Sequence, residues 1–229
     1  YDTFGSPEDP ALLLIMGFTA QMTAWDVRFC QILADGGHFV IRFDNRDSGL
    51  STKLDGQVPD VAGAMAAALA DTPAPPLPYL LGDMAADAMG LLDVLGIERA
   101  HIMGASMGGM IAQVVAINHP ERVISLISVM SQPGEIEVGQ PSDEAAMAIF
   151  SPPPTTREEY IEASPRWLVW ASKKYRDVAR TKELAAREFD RSFYPEGAPR
   201  QMAASYGSGR RSVQLQALDV PTLVIHGRD

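Results

Sequence analysis

Short apolar runs and longer amphipathic stretches alternate along the chain, and this alternation predicts its architecture. Continuous apolar runs of a few residues between turns are typical of buried strands. Such runs occupy residues 11–16, 38–43, 100–103, 123–130 and 220–226. The clearest helical patterns between them occupy residues 22–33, 82–95 and 107–118. Strands that alternate with helices predict an α/β fold, with a mostly parallel sheet and helices on both faces.

The segment 132–210 departs from this alternation. It is charged, carries three consecutive prolines at 152–154, and is helical in pattern over 157–191 without any strand pattern. We therefore predict a core whose first part is 1–131, a helical cap at 132–210 inserted before the last visible strand, and that strand within 211–229. A cap over the sheet edge normally forms one wall of a substrate pocket.

The turn after the predicted strand 100–103 carries a candidate nucleophile. Gly104-Ala105-Ser106-Met107-Gly108 has the G-x-S-x-G pattern between a strand and a helix, which is the context of a nucleophile elbow. The residues two before and two after the serine crowd each other, and this favours Gly104 and Gly108. A glycine-rich turn without chemistry would share the pattern. A phosphate loop would need a lysine that is absent here, and a dinucleotide fingerprint would need another glycine spacing.

Composition narrows the classes of partner. The net charge of −10 disfavours nucleic acid and anionic membranes. No apolar run is long enough to predict a transmembrane helix, and no signal-peptide pattern opens the chain. Cys30 is the single cysteine, which excludes an intramolecular disulfide and is compatible with a cytoplasmic setting. No cluster has metal-ligand spacing, so neither a metal nor another cofactor is expected.

Together these segments resemble the α/β-hydrolase superfamily, and most of all its esterase, haloperoxidase-like and aclacinomycin-methylesterase-like branch. The matching segments are LLLIMGFTAQ, VIRFDNRDSGLST, DMAADAMGLLDVLGIERAHIMGASMGGMIAQ, NHPERV and VPTLVIHGRD. The resemblance implies that Ser106 is the nucleophile and that the oxyanion is bound by the backbone N–H groups of Met107 and Phe18. Members commonly have His-Gly before the second donor, where this chain has Met16-Gly17. The backbone donor is kept, but what holds the loop in place of the histidine is left open.

The same resemblance implies an acid and a histidine after the last visible strand. In members with an HGRD-type segment the carboxylate is usually the next position, so the acid is Asp229 or the residue after it. The family histidine lies later still. The four histidines present are better explained as structural residues that begin or lie in strands or end a helix: His38, His101, His119 and His226. His226, near the end of the last visible strand, stays a remote alternative for the base. We expect that the base lies outside these residues, and that both ends of the sequence are internal to a longer hydrolase.

Other carboxylates favour structural interpretations. Asp44 and Asp47 follow the second predicted strand, with Arg42 and Arg46 beside them, and ion pairs that brace this loop are favoured over catalysis. Glu135 follows the fourth predicted strand, where some hydrolases place the acid, and it stays a minor alternative.

Two functions of different classes are compatible with this sequence. The first is hydrolysis of a small, largely apolar carboxylic ester through an acyl-enzyme on Ser106, and perhydrolase or C–C bond hydrolysis could use the same site. The apolar substrate is suggested by apolar residues of the cap: Met147, Ile149, Phe150, Trp167 and Trp170. The second is a non-catalytic hydrolase-fold protein that binds a ligand or partner. In that case the strand 220–226 would be an exposed edge suited to pairing with another chain, including a second copy.

Overall fold

A six-stranded sheet in the order β1-β3-β2-β4-β5-β6 organises the protein, in a computed structural model that describes residues 1–227. The strands are β1 Asp2–Phe4, β2 Ala11–Ile15, β3 Phe39–Arg42, β4 Ala100–Ala105, β5 Val123–Val129 and β6 Thr222–Ile225. β1 runs antiparallel to β3, and every other neighbouring pair is parallel. The predicted mostly parallel α/β architecture is confirmed.

Helices cover both faces of this sheet. Within residues 1–227 they are α1 Val27–Asp35, α2 Val61–Ala70, α3 Leu81–Val94, α4 Met107–Asn118, α5 Asp143–Phe150, α6 Arg157–Ala163, α7 Val178–Arg191, α8 Gly197–Gly207 and α9 Ser212–Gln216. None of these helices is both long and apolar enough to cross a membrane.

Alternate residues of the central strand β2 build two cores. Leu13 and Ile15 belong to the core that includes α3 and α4, whereas Leu12 and Leu14 pack on the opposite face with Cys30 of α1. Burial of one such side chain contributes about 1.5–3 kcal/mol. Because both faces of β2 are covered, the strand requires the continuous apolar run from which it was predicted.

The first helix begins later than the predicted 22–33. Met22–Ala24 form a 3-10 turn, and α1 starts only at Val27. Asp26 is the reason, because its side chain accepts a hydrogen bond from the backbone N–H of Arg28 at 2.8 Å and so caps the helix at that point.

The segment 132–210 is helical, as predicted, but its long pattern over 157–191 is divided. α6 ends at Ala163, 3-10 turns follow at Ser164–Trp170 and Lys173–Tyr175, and α7 then starts after its cap Asp177. α8 lies beyond the predicted pattern and packs against α2 of the core.

The strand β6 pairs with β5 only, within the part of the chain that the structure describes. Its side chains are exposed, including the apolar Leu223, Val224 and Ile225. An exposed edge of this composition is a surface on which a further strand could pair.

Candidate active site

Ser106 occupies the sharp turn between β4 and α4. Its backbone angles are φ 55° and ψ −121°, a conformation that residues other than glycine rarely adopt and that is found at strained functional turns. The turn is held by the Ser106 N–H, which donates to Val129 O at 2.9 Å, and by Ser131 Oγ, which donates to Ser106 O at 2.8 Å. The serine side chain is half-buried at the carboxyl end of β4. This is the geometry of a nucleophile elbow.

The glycines around the serine are required by close backbone approaches. A Cβ at Gly104 would overlap the backbone of Gly108, and one at Gly108 would overlap the carbonyl of Ile15 on β2. At Gly109 a Cβ would come within 2.6 Å of the Ser131 side chain. These contacts bring the start of α4 against the sheet and fix where the Ser106 side chain stands.

Two backbone N–H groups near Ser106 are available to an oxyanion. Met107 follows the serine directly, and Gly17, which precedes Phe18, lies against it: a Cβ at Gly17 would be 3.1 Å from Ser106 Cβ and 3.6 Å from Ser106 Oγ. In the described part of the chain, neither the Phe18 N–H nor the Met107 N–H donates a hydrogen bond to another group. Two such donors beside a nucleophile could stabilise a tetrahedral oxyanion, each by an amount on the order of 3 kcal/mol.

Side chains from distant elements hold the loop that carries Phe18. Asn45 Nδ2 donates to Met16 O at 2.8 Å, and Gln201 Oε1 accepts from the Thr19 N–H at 2.8 Å. These two hydrogen bonds hold the loop in this chain, which has Met16 where family members commonly have a histidine before Gly17. Asn45 lies in a segment that the family resemblance had marked, whereas nothing in the sequence around Gln201 indicated a role.

The expected ion pairs of Asp44 and Asp47 exist, but the predicted partners were wrong. Asp44 Oδ2 lies 2.7 Å from Nη2 of Arg191 on α7, and Asp47 Oδ2 lies 2.8 Å from Nε of Arg200 on α8. Both carboxylates therefore join the loop after β3 to helices of the segment 132–210.

The neighbouring arginines point away from these two carboxylates. Arg42 extends from β3 to the adjacent strand β1, where its Nη2 lies 2.7 Å from Asp2 Oδ2. Arg46 pairs with Asp87 on α3, with Nε to Oδ2 at 2.6 Å. Proximity along the chain misled the prediction because the direction of each side chain is set by its strand or loop, and not by its spacing from a carboxylate.

The pair of Asp47 and Arg200 is the more deeply buried of the two. Its side chains are 0% and 4% exposed, respectively, and Tyr79 also donates its hydroxyl to Asp47 Oδ2 at 2.8 Å. Burial raises the pKa of Asp47, but the hydrogen bonds from Arg200, the Leu54 N–H and Tyr79 outweigh it and hold the pKa below its ordinary value. The carboxylate is thus ionised and fully partnered.

Within residues 1–227 no histidine is hydrogen-bonded to Ser106. His101 Nδ1 lies 2.7 Å from Ser125 Oγ, and the His101 ring packs edge-on to His38 with 5.7 Å between centroids. Both lie towards the amino ends of their strands, opposite to the serine. Asp229, the candidate acid, lies outside the described residues.

Glu135 has a structural contact. Its Oε1 accepts from the Ser212 N–H at the start of α9, at 3.0 Å. In the described chain its Oε2 is buried without a partner.

A cavity of about 340 Å³ lies between α1 and α7, away from the serine. Five arginines contribute to its lining, none of Ser106, Phe18 or Met107 does, and ion pairs join these arginines to nearby carboxylates. Among residues 1–227, no group of three or more His, Cys, Asp or Glu side chains is arranged to hold a metal ion.

The sequence matches the family described as the alpha/beta hydrolase fold over residues 10–229. The chain therefore belongs to the α/β hydrolase family. A solved structure of a meta-cleavage product hydrolase, CumD from Pseudomonas fluorescens IP01, agrees in fold with a TM-score of 0.70. It is 21% identical, and the match covers 100% of this chain and 75% of that one.

Curated relatives include esterase-type enzymes, which confirms the predicted resemblance. Rhodomycin D methylesterase DauP of Streptomyces sp. (strain C5) is 34% identical over 144 residues, which cover 62% of this chain and 42% of the relative. The 2-hydroxymuconate semialdehyde hydrolase of Pseudomonas sp. (strain CF600) is 36% identical over 149 residues, covering 62% and 49%. The chain spans less than half the length of these two relatives.

Proposed function

We propose that this is a serine hydrolase that cleaves a carboxylic ester through an acyl-enzyme on Ser106. The observation that carries the proposal is the strained turn at Ser106, flanked by the N–H groups of Phe18 and Met107, which are unbonded within residues 1–227. The methylesterase relative supports an ester as substrate.

In this mechanism Ser106 Oγ attacks the ester carbonyl while a histidine base takes its proton. The N–H groups of Phe18 and Met107 stabilise the negative oxygen of the tetrahedral intermediate. The intermediate collapses, the alcohol leaves with the proton, and water then releases the acid from Ser106 by the same steps. The proposal places the base outside residues 1–227 and the orienting acid at Asp229 or the position after it.

The substrate in this proposal is small and largely apolar, and the support for it comes from the composition of the chain. The segment 132–210 exposes apolar side chains at Met147, Phe150 and Trp170, and a cap of this kind supplies a pocket wall in many hydrolases. The chain carries a net charge of −10, which does not favour an anionic partner. C–C bond hydrolysis is a variant of the same proposal, supported by the 2-hydroxymuconate semialdehyde hydrolase relative.

The second candidate is a non-catalytic protein that binds a ligand or another chain. It is favoured by two observations on residues 1–227: Ser106 Oγ has no histidine partner, and β6 exposes an apolar edge on which a second copy could pair.

Labelling with a fluorophosphonate probe separates the two candidates. It is measured on the 229-residue chain and on the natural gene product, each with Ser106→Ala as the matched control and with folding verified by circular dichroism. Labelling of the gene product that is lost in Ser106→Ala supports the hydrolase. Labelling of the 229-residue chain as well would place a base inside it and contradict the assignment of the base to residues elsewhere. A folded gene product that is not labelled rejects the hydrolase and favours the binding protein.

A further inference from the structure

Gln201 on α8 uses its whole side-chain amide to join two loops at the carboxyl edge of the sheet. Its Oε1 accepts from the Thr19 N–H at 2.8 Å, and its Nε2 donates to Arg46 O at 2.9 Å. The residue is 0% exposed. A buried amide with both ends bonded is directional, and removing it leaves buried backbone groups without partners.

Gln201 is one of several groups that hold the turn at Thr19. The Ala20 N–H donates to Gly17 O at 3.3 Å, and Ser48 Oγ donates to Ala20 O at 2.9 Å. Thr19 has φ 58°, in the left-handed region that is unfavourable for a residue with a β-branched side chain. The Thr19 side chain is exposed and makes no side-chain hydrogen bond in the described chain that would offset this cost. In the described chain Gln201 is the acceptor of the Thr19 N–H, so its hydrogen bond is one of those that keep the turn in this conformation.

The peptide that carries the Phe18 N–H lies between two fixed peptides. Before it, the Met16–Gly17 peptide is held at Met16 O by Asn45. After it, the Phe18–Thr19 peptide is held at the Thr19 N–H by Gln201. The Gly17–Phe18 peptide between them is also held at its own carbonyl, because Gly17 O accepts from the Ala20 N–H at 3.3 Å. With both neighbours fixed as well, this peptide has little freedom to rotate, and within residues 1–227 its N–H donates to no other protein group.

The helix that presents Gln201 is itself anchored. Arg200, the preceding residue, forms the buried ion pair with Asp47, and α8 packs against α2. A hydrogen-bond acceptor on such a helix is more precisely placed than one on a loop.

We propose that Gln201 is a positioning residue of the oxyanion hole, which sets the direction of the Phe18 N–H by holding the Thr19 turn. The inference rests on the proposed function, because it concerns the second oxyanion donor of the same site. In this proposal α8 acts on catalysis only through the position of the Thr19 turn, and no atom of α8 is assigned a contact with the substrate.

The test uses three variants of the natural gene product. Gln201→Met keeps the length of the side chain but removes both hydrogen bonds. Gln201→Glu keeps an acceptor for the Thr19 N–H in either protonation state. Ser205→Ala, one turn further along α8, removes a bond from Ser205 Oγ to Gln201 O at 2.9 Å and is the matched control.

We expect Gln201→Met to label with fluorophosphonate about 10–100-fold more slowly than the parent, less than the full loss of one oxyanion donor. With an ester substrate kcat falls by a similar factor while KM stays within about twofold, because the donor acts mainly in the transition state. Gln201→Glu recovers most of the rate, and Ser205→Ala behaves like the parent. Hydrogen exchange of the Thr19 amide becomes faster in Gln201→Met and not in Ser205→Ala.

Two results would overturn the inference. In one, Thr19 exchanges faster in Gln201→Met while labelling stays within twofold of the parent, so that the turn is released without consequence for Ser106. In the other, labelling falls only in proportion to the unfolded fraction, which marks Gln201 as merely structural. If Gln201→Met does not fold, Gln201→Glu carries the test, and a loss of labelling in a folded Gln201→Glu with a protected Thr19 amide contradicts the inference. Failure of the proposed function is seen separately, as a parent protein that does not label.

Discussion

The two oxyanion donors proposed for this protein are built in different ways. The Met107 N–H is placed at the start of α4 by a short segment, the turn at Ser106 with the glycines at 104 and 108, which packs against β2 and is hydrogen-bonded to Val129 O and by Ser131 Oγ. The loop of the Phe18 N–H has a turn bond of its own, from the Ala20 N–H to Gly17 O, but it is also held by side chains far along the chain, including Gln201, which is 182 residues from its partner Thr19. One half of the site is thus recognisable from a short stretch of sequence, whereas the supports of the other half appear only in the tertiary structure.

The largest loss of stability is expected for a substitution in the Ser106 half of the site. Gly108→Val would place side-chain atoms into the carbonyl of Ile15, which belongs to the central strand and cannot move away. We expect a loss of at least about 3 kcal/mol in the free energy of unfolding, or no folded protein at all. Urea denaturation measures this, with Gly90→Ala on the exposed face of α3 as the control.

Gly90 has open space where a Cβ would be added. Gly90→Ala is therefore expected to be neutral or to stabilise the protein by up to about 1 kcal/mol, through the higher helix propensity of alanine. A folded Gly108→Val protein of parental stability would contradict the close approach of α4 to β2.

The second largest loss of stability is expected at Arg200, which anchors α8 and therefore the Phe18 half of the site. Arg200→Met leaves the buried carboxylate of Asp47 without its ionic partner, and we expect a loss of about 3–5 kcal/mol in the free energy of unfolding. The control is Arg157→Met, which breaks an exposed pair with Asp190 and should cost less than about 1 kcal/mol. Equal losses in the two variants would show that burial of the Asp47 pair has no energetic consequence.

A third prediction concerns the pH dependence of stability, in which the two halves should differ. Residues 104–109, in the Ser106 half, carry no carboxyl, amino or imidazole group. The loop after β2, in the Phe18 half, is bonded to a titratable helix, because Gln21 of this loop donates a hydrogen bond to the backbone of Glu188 on α7. Burial raises the pKa of Glu188 to about 7, with Arg191 opposing and Asp44 reinforcing the shift. The folded state therefore favours the protonated acid, and stability is lost as the pH rises from about 4.5 through 7.

Glu188→Gln removes this titration. The variant should match the parent near pH 4.5 and exceed it by about 1–2 kcal/mol at pH 8, an amount reduced from the full shift because the side chain is half-buried. The measurement is the difference in free energy of unfolding between the two proteins across this range. A difference that does not change with pH would contradict the raised pKa of Glu188.

The smallest loss of stability is expected at Gly17, where the Phe18 loop lies against Ser106. In Gly17→Ala the added methyl would lie 3.0 Å from Ala105 O and 3.1 Å from Ser106 Cβ, so small shifts accommodate it. We expect a loss of less than about 1 kcal/mol in stability, in the range of ordinary mild substitutions, but labelling of Ser106 about tenfold slower because the oxyanion loop is displaced. Labelling at the parental rate would show that the distance between this loop and the serine is not critical.

The sequence predicted most of the fold because the relevant signals are local. Apolar runs mark β2 and β5, and the G-x-S-x-G turn marks Ser106 within five consecutive residues. The start of α1 was misplaced because the capping contact of Asp26 competes with an amphipathic pattern that extends further back.

The supports of the Phe18 loop could not be predicted in the same way. Helix α8 begins with glycine and proline close to its start, and its buried Gln201 and Arg200 are polar, so hydrophobic periodicity gives no sign of its role. Arg42 and Arg46 stand beside Asp44 and Asp47 in sequence, yet the partners come from α7 and α8. Long-range pairing of polar residues depends on the packed structure and leaves no pattern in a single sequence.

The position of α8 has a consequence for engineering. Exchange of the segment 132–210 for that of another α/β hydrolase family member is an obvious way to alter specificity, since the sequence predicts this segment to be an insertion. Because Arg200 and Gln201 hold the loops after β3 and β2, such a chimera would also exchange supports of the oxyanion donor. A junction placed before Gly197 keeps these supports with their own scaffold, and would separate the choice of substrate from the machinery that acts on it.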